Sequence, residues 1–261
     1  MPGLVRARTL CGNCWMDRKN RKTIYVYGTQ TDIVTEENFE KRLSVLPDFL
    51  QEKVLKCRNF PDRQRRLSGY LLLAHILSRW TMKAEAGSPN LAHYRTEAGG
   101  KPYLCGYPEI QFNLSHSGRY AVCAVSSEPV GIDIQERRER HGNLAARFFS
   151  QEENEQLAEC HTEEEREELF SRFWCAREAY VKWTGTGLSR KFSSLEVNLK
   201  SGTVMEWTQG AEIEHTGKRE AYIRELFSEV FSKDYFLTVC SGKEAEIELE
   251  IMTGKEWMEE L

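Results

Sequence analysis

The stretch Pro129-Val130-Gly131-Ile132-Asp133-Ile134-Gln135 decides how this chain is read. As a strand it alternates with period two, so Val130, Ile132 and Ile134 share one face and Gly131, Asp133 and Gln135 the other. The apolar face belongs to a core. The opposite face carries a carboxylate and an amide two residues apart, and Gly131 leaves room there for a ligand or another backbone. A lone GxD in a strand is as readily a solvated edge. A site is favoured by the long helix downstream, which carries Glu178 and Lys182. Two carboxylates and a lysine suit a magnesium site for chemistry on a phosphate ester.

That helix is expected from about Glu163 to Trp183, with Gly185 stopping it. At about 100° per residue, Leu169, Phe173, Ala176, Tyr180 and Trp183 form one stripe. Phe170, Trp174 and Val181 form a second beside it, so almost half the circumference is apolar and the helix is wedged between two layers. Glu178 and Lys182 lie at the margin beyond Trp174, one turn apart. As a mere surface ion pair they would contribute only a few tenths of a kcal/mol.

Upstream, Thr23 to Thr29 reads as the first strand. Thr35, with Glu37 and Asn38 nearby, opens a helix that Pro47 ends or interrupts, and a second helical piece runs through Val54 and Leu55. From Lys53 to Arg66 there are six basic residues (Lys53, Lys56, Arg58, Arg63, Arg65, Arg66) against Asp62 alone. Pro61 and Asp62 mark a helix start with Asp62 as its cap, and Leu67, Tyr70, Leu71, Ala74 and Leu77 follow at helical spacing. Arginines in a first turn oppose the helix dipole, a conflict that a bound anion would relieve. A solvated basic face is the ordinary alternative. Gly99-Gly100-Lys101-Pro102-Tyr103 is a turn presenting a lysine. A strand from Ile110 to Leu114 runs into Ser115-His116-Ser117, and a second follows from Arg119 to Val125. His116 is either a satisfied surface histidine or a contact to phosphate.

After Asp133, Ser150 with Glu153 and Thr162 with Glu165 read as capping boxes. The nine acidic residues between Glu152 and Glu168 read as a solvated face. The remainder is β-rich: Leu195–Leu199, Val204–Trp207, Tyr235–Cys240 and Ile247–Ile251. Tyr120–Val125 and Tyr235–Cys240 are similar strands half a chain apart, which hints at two related halves.

Composition narrows the class. A chain of 261 residues can bury one large core or two small ones. Its net charge of −4 argues against a general nucleic-acid binder. The longest apolar run, Tyr70 to Leu77, is too short to span a bilayer, so no membrane partner is expected. Eight cysteines without a secretory signal fit reduced thiols in the cytoplasm. Arg6 and Arg8 only faintly suggest a transit peptide. Cys11-Gly-Asn-Cys14 could be half a zinc site or a redox pair, but no second such pair exists. Residues 1–21 are therefore expected to be a mobile tail without metal.

In this order and spacing, several motifs resemble the 4′-phosphopantetheinyl transferases of the surfactin-synthetase-activating (Sfp-like) type. They are the Lys53/Lys56/Arg65 cluster, Gly100-Lys101-Pro102, Phe112-Asn-Leu-Ser-His-Ser117, Val130-Gly-Ile-Asp133, and Trp174-Cys-Ala-Arg-Glu-Ala-Tyr-Val-Lys182 with Gly185 and Gly187. The resemblance runs from about Thr23 to Cys240. It implies an α+β fold of two similar halves related by a pseudo-twofold, residues 22–128 and 129–261, the latter with an extra C-terminal segment. Coenzyme A would bind in the cleft between them, and a monomer is expected. The implied reaction moves the phosphopantetheine arm of coenzyme A to a serine of an apo acyl or peptidyl carrier protein, with Mg²⁺, releasing adenosine 3′,5′-bisphosphate. Carried over by position, Lys53, Lys56 and Arg65 would hold the 3′-phosphate with Ser115 and His116, and Lys101 would lie along the nucleotide. Asp133 and Glu178 would hold the metal, Lys182 would contact the diphosphate, and Glu178 would take the serine proton. Two positions depart from the commonest pattern. Gln135 stands where an acid often adds a metal contact, and its amide oxygen could coordinate without bringing charge. Arg177 stands where lysine is usual. A non-catalytic module holding a nucleotide or an acidic partner in the same basic cleft is the alternative, and a zinc or redox protein built on Cys11 and Cys14 a third reading.

Overall fold

The computed structural model describes residues 23–81, 90–137, 144–187, 192–207, 218–226, 231, 233–254, 256–259 and 261. The tail with Cys11 and Cys14 lies outside them. The chain opens with β1 (Thr23–Gln30), α1 (Phe39–Leu43), α2 (Asp48–Leu55) and α3 (Phe60–Thr81). It continues through β2 (Tyr94–Thr96), β3 (Pro102–Leu104), β4 (Gln111–Ser117), β5 (Tyr120–Ser126) and β6 (Val130–Glu136). Then come α4 (Leu144–Phe148), α5 (Gln151–Ala158), α6 (Glu163–Thr184), β7 (Leu195–Asn198), β8 (Thr203–Trp207), β9 (Lys218–Leu226), β10 (Tyr235–Ser241) and β11 (Glu246–Met252).

Two sheets organise these elements, with strand orders β11-β1-β5-β4 and β6-β10-β9-β8-β7, and β2 pairs with β3 in a small ribbon. Strand alternation explains the layering. Tyr25, Tyr27, Cys123 and Val125 join a core with Leu67, Leu71 and other residues of α3. Their neighbours Ile24, Val26, Tyr120, Val122 and Ala124 belong instead to a core shared with Val130, Ile132, Ile134, Leu237 and Val239 of the second sheet. A third core sits under α6, where Phe173, Ala176, Tyr180 and Trp183 meet Leu195, Val197, Val204 and Cys240. Each half thus lays one 22-residue helix, α3 or α6, on its own sheet. The fold is α+β with two similar halves, as the sequence implies.

Both capping boxes form. The Ser150 hydroxyl accepts from the Glu153 N–H and the Thr162 hydroxyl from the Glu165 N–H, and Gly185 ends α6 at φ 71°. The start of α3 differs from expectation. The helix begins at Phe60, and its first turn is capped by the Asn59 side chain, which accepts from the Asp62 N–H at 2.9 Å. Asp62 lies one turn inside and pairs with Arg65. Asn and Asp cap equally well, so composition alone does not choose between two candidates three residues apart.

The end of the chain returns to the beginning. β11, which the division at residues 128 and 129 groups with the second half, runs parallel to β1, from Thr23 opposite Glu246 to Thr29 opposite Met252. Trp257 and Met258 then complete the first core, and Arg42 donates to the Met258 carbonyl at 2.5 Å. No helix among the described residues is long and apolar enough to cross a membrane.

The halves also join through side chains. β4 and β6 are edge strands of different sheets. Asn113, Ser115 and Ser117, on one face of β4 and all buried, accept the backbone N–H groups of Ile132, Ile134 and Glu136 at 3.2, 3.3 and 3.0 Å. Period-two side chains thereby satisfy period-two edge donors that would otherwise be buried without partners.

Candidate active site

Asp133 is 2% exposed, and both its carboxylate oxygens are engaged. Oδ1 accepts from the Lys182 ammonium at 2.6 Å and the Ser115 hydroxyl at 2.8 Å, while Oδ2 accepts from the Gln135 amide at 2.7 Å. Gly131 explains how α6 reaches so close. A Cβ there would collide with the backbone of Ala179 and Trp183. The space left by this glycine is therefore taken by another backbone, which places Lys182 and Glu178 over β6.

Lys182 pairs with Asp133 across the two elements rather than with Glu178 one turn away. Glu178 is half-buried and makes no hydrogen bond or ion pair with any described residue. Burial, then the charge of Asp133, push its carboxyl up to about 7, with Lys182 opposing them. With the one ammonium paired to Asp133, the neighbouring Glu178 carboxylate is left un-neutralised, and a divalent cation would relieve the repulsion between the two. Among the described residues no cluster of three or more His, Cys, Asp or Glu side chains forms. The protein's own donors would thus be two hard oxygens, a set suited to Mg²⁺, which keeps waters and takes phosphate oxygens for its other positions. Gln135 turns its amide donors toward Asp133.

The basic run lies on the last turn of α2, the link to α3, and the first turns of α3. The Lys53 ammonium sits 5.3 Å above the Tyr94 ring and 3.3 Å from the Thr96 hydroxyl. Burial, then Arg66 and Lys56, lower its pKa. Lys56 is exposed, 3.8 Å from Glu52. Arg66, part of the basic run but not among the expected phosphate ligands, donates to the Lys53 carbonyl at 3.1 Å. Arg65 and Arg66 are both half-buried, and helical spacing alone does not say what either touches.

His116 lies where the two charge systems meet. Its ring is open to solvent by surface area yet surrounded by protein, and this burial is the first cause holding it neutral. The cations of Lys182, Arg66 and Arg65 add to it, and together they push His116 down to about 4. Ser115, its neighbour, faces the opposite side of β4 and belongs to Asp133 and Lys182, not to the arginines.

Lys101 donates to the Trp183 carbonyl at 2.6 Å, at the C-terminal end of α6 where a cation is favoured. The turn carrying it docks closely on the helix end, since a Cβ on Gly99 would strike the Gly185 carbonyl. Lys101 also borders a cavity of about 640 Å³ with Trp183, Thr184, Pro129 and Lys243. Arg177 is fully buried, its guanidinium 4.4 Å above the Phe149 ring and paired with Glu153. Glu153 in turn accepts from the Val197 N–H at 2.7 Å. One of the nine acids expected on a solvated face is therefore a core ion pair that fixes the segment just before Glu178. A capping glutamate and a helix-interior arginine 24 residues apart give no local signal of such a pair.

Residues 129–240 match the model of the 4′-phosphopantetheinyl transferase superfamily, and residues 34–128 match that of the 4′-phosphopantetheinyl transferase N-terminal region. A 4′-phosphopantetheinyl transferase of Bacillus subtilis is 34% identical over 178 residues, 67% of this chain and 76% of that protein. The 4′-phosphopantetheinyl transferase Sfp of Bacillus subtilis strain 168 is 33% identical over the same shares. The L-aminoadipate-semialdehyde dehydrogenase-phosphopantetheinyl transferase of Xenopus laevis is 30% identical over 156 residues, 55% of this chain and 50% of that protein.

Proposed function

This chain belongs to the 4′-phosphopantetheinyl transferase superfamily, and on that premise we propose that it loads apo carrier proteins with the phosphopantetheine arm of coenzyme A, releasing adenosine 3′,5′-bisphosphate. One observation carries the reading: where α6 closes on Gly131, Lys182 meets Asp133 at 2.6 Å with Glu178 one turn away, and the basic run of α2 and α3 lies in the other half. A ligand with a diphosphate at one end of its nucleotide and a further phosphate at the other would occupy both charge systems at once. Lys53, Lys56, Arg65 and His116, joined by Arg66, hold the 3′-phosphate. Lys101 fixes the end of the helix that bears Lys182.

Asp133 and Glu178 would hold Mg²⁺, which would supply charge neutralisation at the diphosphate. The carrier serine oxygen forms a bond to the pantetheine-side phosphorus while the bridging P–O bond to the adenosine-side phosphate breaks. Glu178 takes the serine proton. Lys182 sets a fixed positive charge beside the phosphate that leaves. No protein nucleophile is needed, because alignment of the serine and the diphosphate supplies most of the acceleration.

The test is to incubate the protein with coenzyme A, Mg²⁺ and apo carriers from fatty-acid, polyketide and peptide pathways, then weigh the carriers. The expected result is one added phosphopantetheine on at least one carrier, abolished by a chelator. Tight coenzyme A binding without any gain of mass would overturn the proposal in favour of a binding module.

A further inference from the structure

We infer that Ser115 is a positioning residue that holds Lys182 and Asp133 in register across the boundary between the halves, and does not read the nucleotide phosphate. The inference rests on the proposed function for the reaction it serves, but its geometry is independent of it. Ser115 is 6% exposed. Its single hydroxyl donates to Asp133 Oδ1 at 2.8 Å and accepts from Lys182 Nζ at 2.8 Å and from the Ile134 N–H at 3.3 Å. One proton and two lone pairs are thereby all used, which leaves nothing to offer a phosphate.

The three partners come from the second half, two from β6 and one from α6, whereas Ser115 belongs to β4 of the first. Alternation on β4 sends His116 to the other face, so the two neighbours cannot both turn a side chain to one phosphate. Of the three β4 residues that pin the β6 backbone, Ser115 alone also touches the charged groups. Ser117 is as buried, at 5%, and among the described residues its hydroxyl accepts only the Glu136 N–H at 3.0 Å. Ser117 therefore supplies a control: the same ladder and the same backbone contact without the ion pair. With Ser115 in place, Lys182 and Asp133 are fixed by a third atom rather than by each other alone, which narrows the directions Lys182 can take.

The experiment compares Ser115→Ala with Ser117→Ala. Hydrogen bonds to charged groups are the stronger class, so the first variant should lose about tenfold or more in kcat at a near-normal KM for coenzyme A. Its preference for coenzyme A over 3′-dephospho-coenzyme A should stay at the wild-type ratio. Ser117→Ala should keep its kcat while losing a similar amount of thermal stability. A collapse of the coenzyme A preference in Ser115→Ala would overturn the inference by showing a phosphate contact, and equal losses of kcat in both variants would reduce Ser115 to a structural pin. A readout without turnover separates this from the proposed reaction. The ¹⁵N ammonium resonance of Lys182, assigned through Lys182→Arg, should shift in Ser115→Ala and stay in Ser117→Ala. That result would uphold the inference in a chain inactive on every carrier, and an unmoved resonance in Ser115→Ala would refute it.

Discussion

Glu178 is a carboxyl group whose charge the folded chain resists. Its folded-state pKa is raised from 4.5 to about 7 by burial and by Asp133. Between these values the folded protein binds more protons than the unfolded one, so this group's contribution lowers stability as pH rises, fully so above about 7. Glu178→Gln should therefore be more stable than the parent at pH 8 in EDTA, by roughly 1–2 kcal/mol, with the gap closing toward pH 4.5 or on adding Mg²⁺. Calorimetry of both proteins at the two pH values checks this, and a less stable variant at pH 8 would contradict it. At this scale the sequence was informative about which residues matter and less so about their partners. The i,i+4 spacing suggests a Glu178–Lys182 pair, but Asp133, remote in sequence, lies closer to the ammonium. Helical spacing fixes neighbours on a surface, and packing against β6 overrides it.

The site depends on two elements meeting at their backbones. The strand reading of residues 129–135 anticipates both faces of β6, and the stripes of α6 anticipate a helix held between layers. The glycine in the motif leaves open whether a ligand or a backbone would approach, and the answer is the turn of α6 from Ala179 to Trp183. Gly131→Ala should consequently cost about 2 kcal/mol or more, because backbone on both sides cannot give way as a side chain would. Urea unfolding of that variant is the check, and a midpoint equal to the parent's would show that the close approach is not required. The buried Arg177–Glu153 pair could not be anticipated in the same way. Its partners belong to different helices, and each residue alone looks like an ordinary surface charge.

At the level of the molecule, the likeness of Tyr120–Val125 to Tyr235–Cys240 pointed to two halves, and these strands are indeed the inner strands β5 and β10 of the two sheets. What local pattern could not convey is that β11 closes the first sheet from the far end of the chain, since parallel pairing with β1 is set by topology rather than by spacing. The halves meet where β4 and β6 run side by side, and the charged groups of both converge beside that seam. The central claim is that Glu178 at this seam is the base of phosphopantetheine transfer. It is tested most directly by the single-turnover rate with which Glu178→Gln, saturated with coenzyme A and Mg²⁺, loads an apo carrier that the parent protein loads. The account predicts a fall of about a hundredfold or more in a variant that remains folded. A rate within a few-fold of the parent's would contradict it.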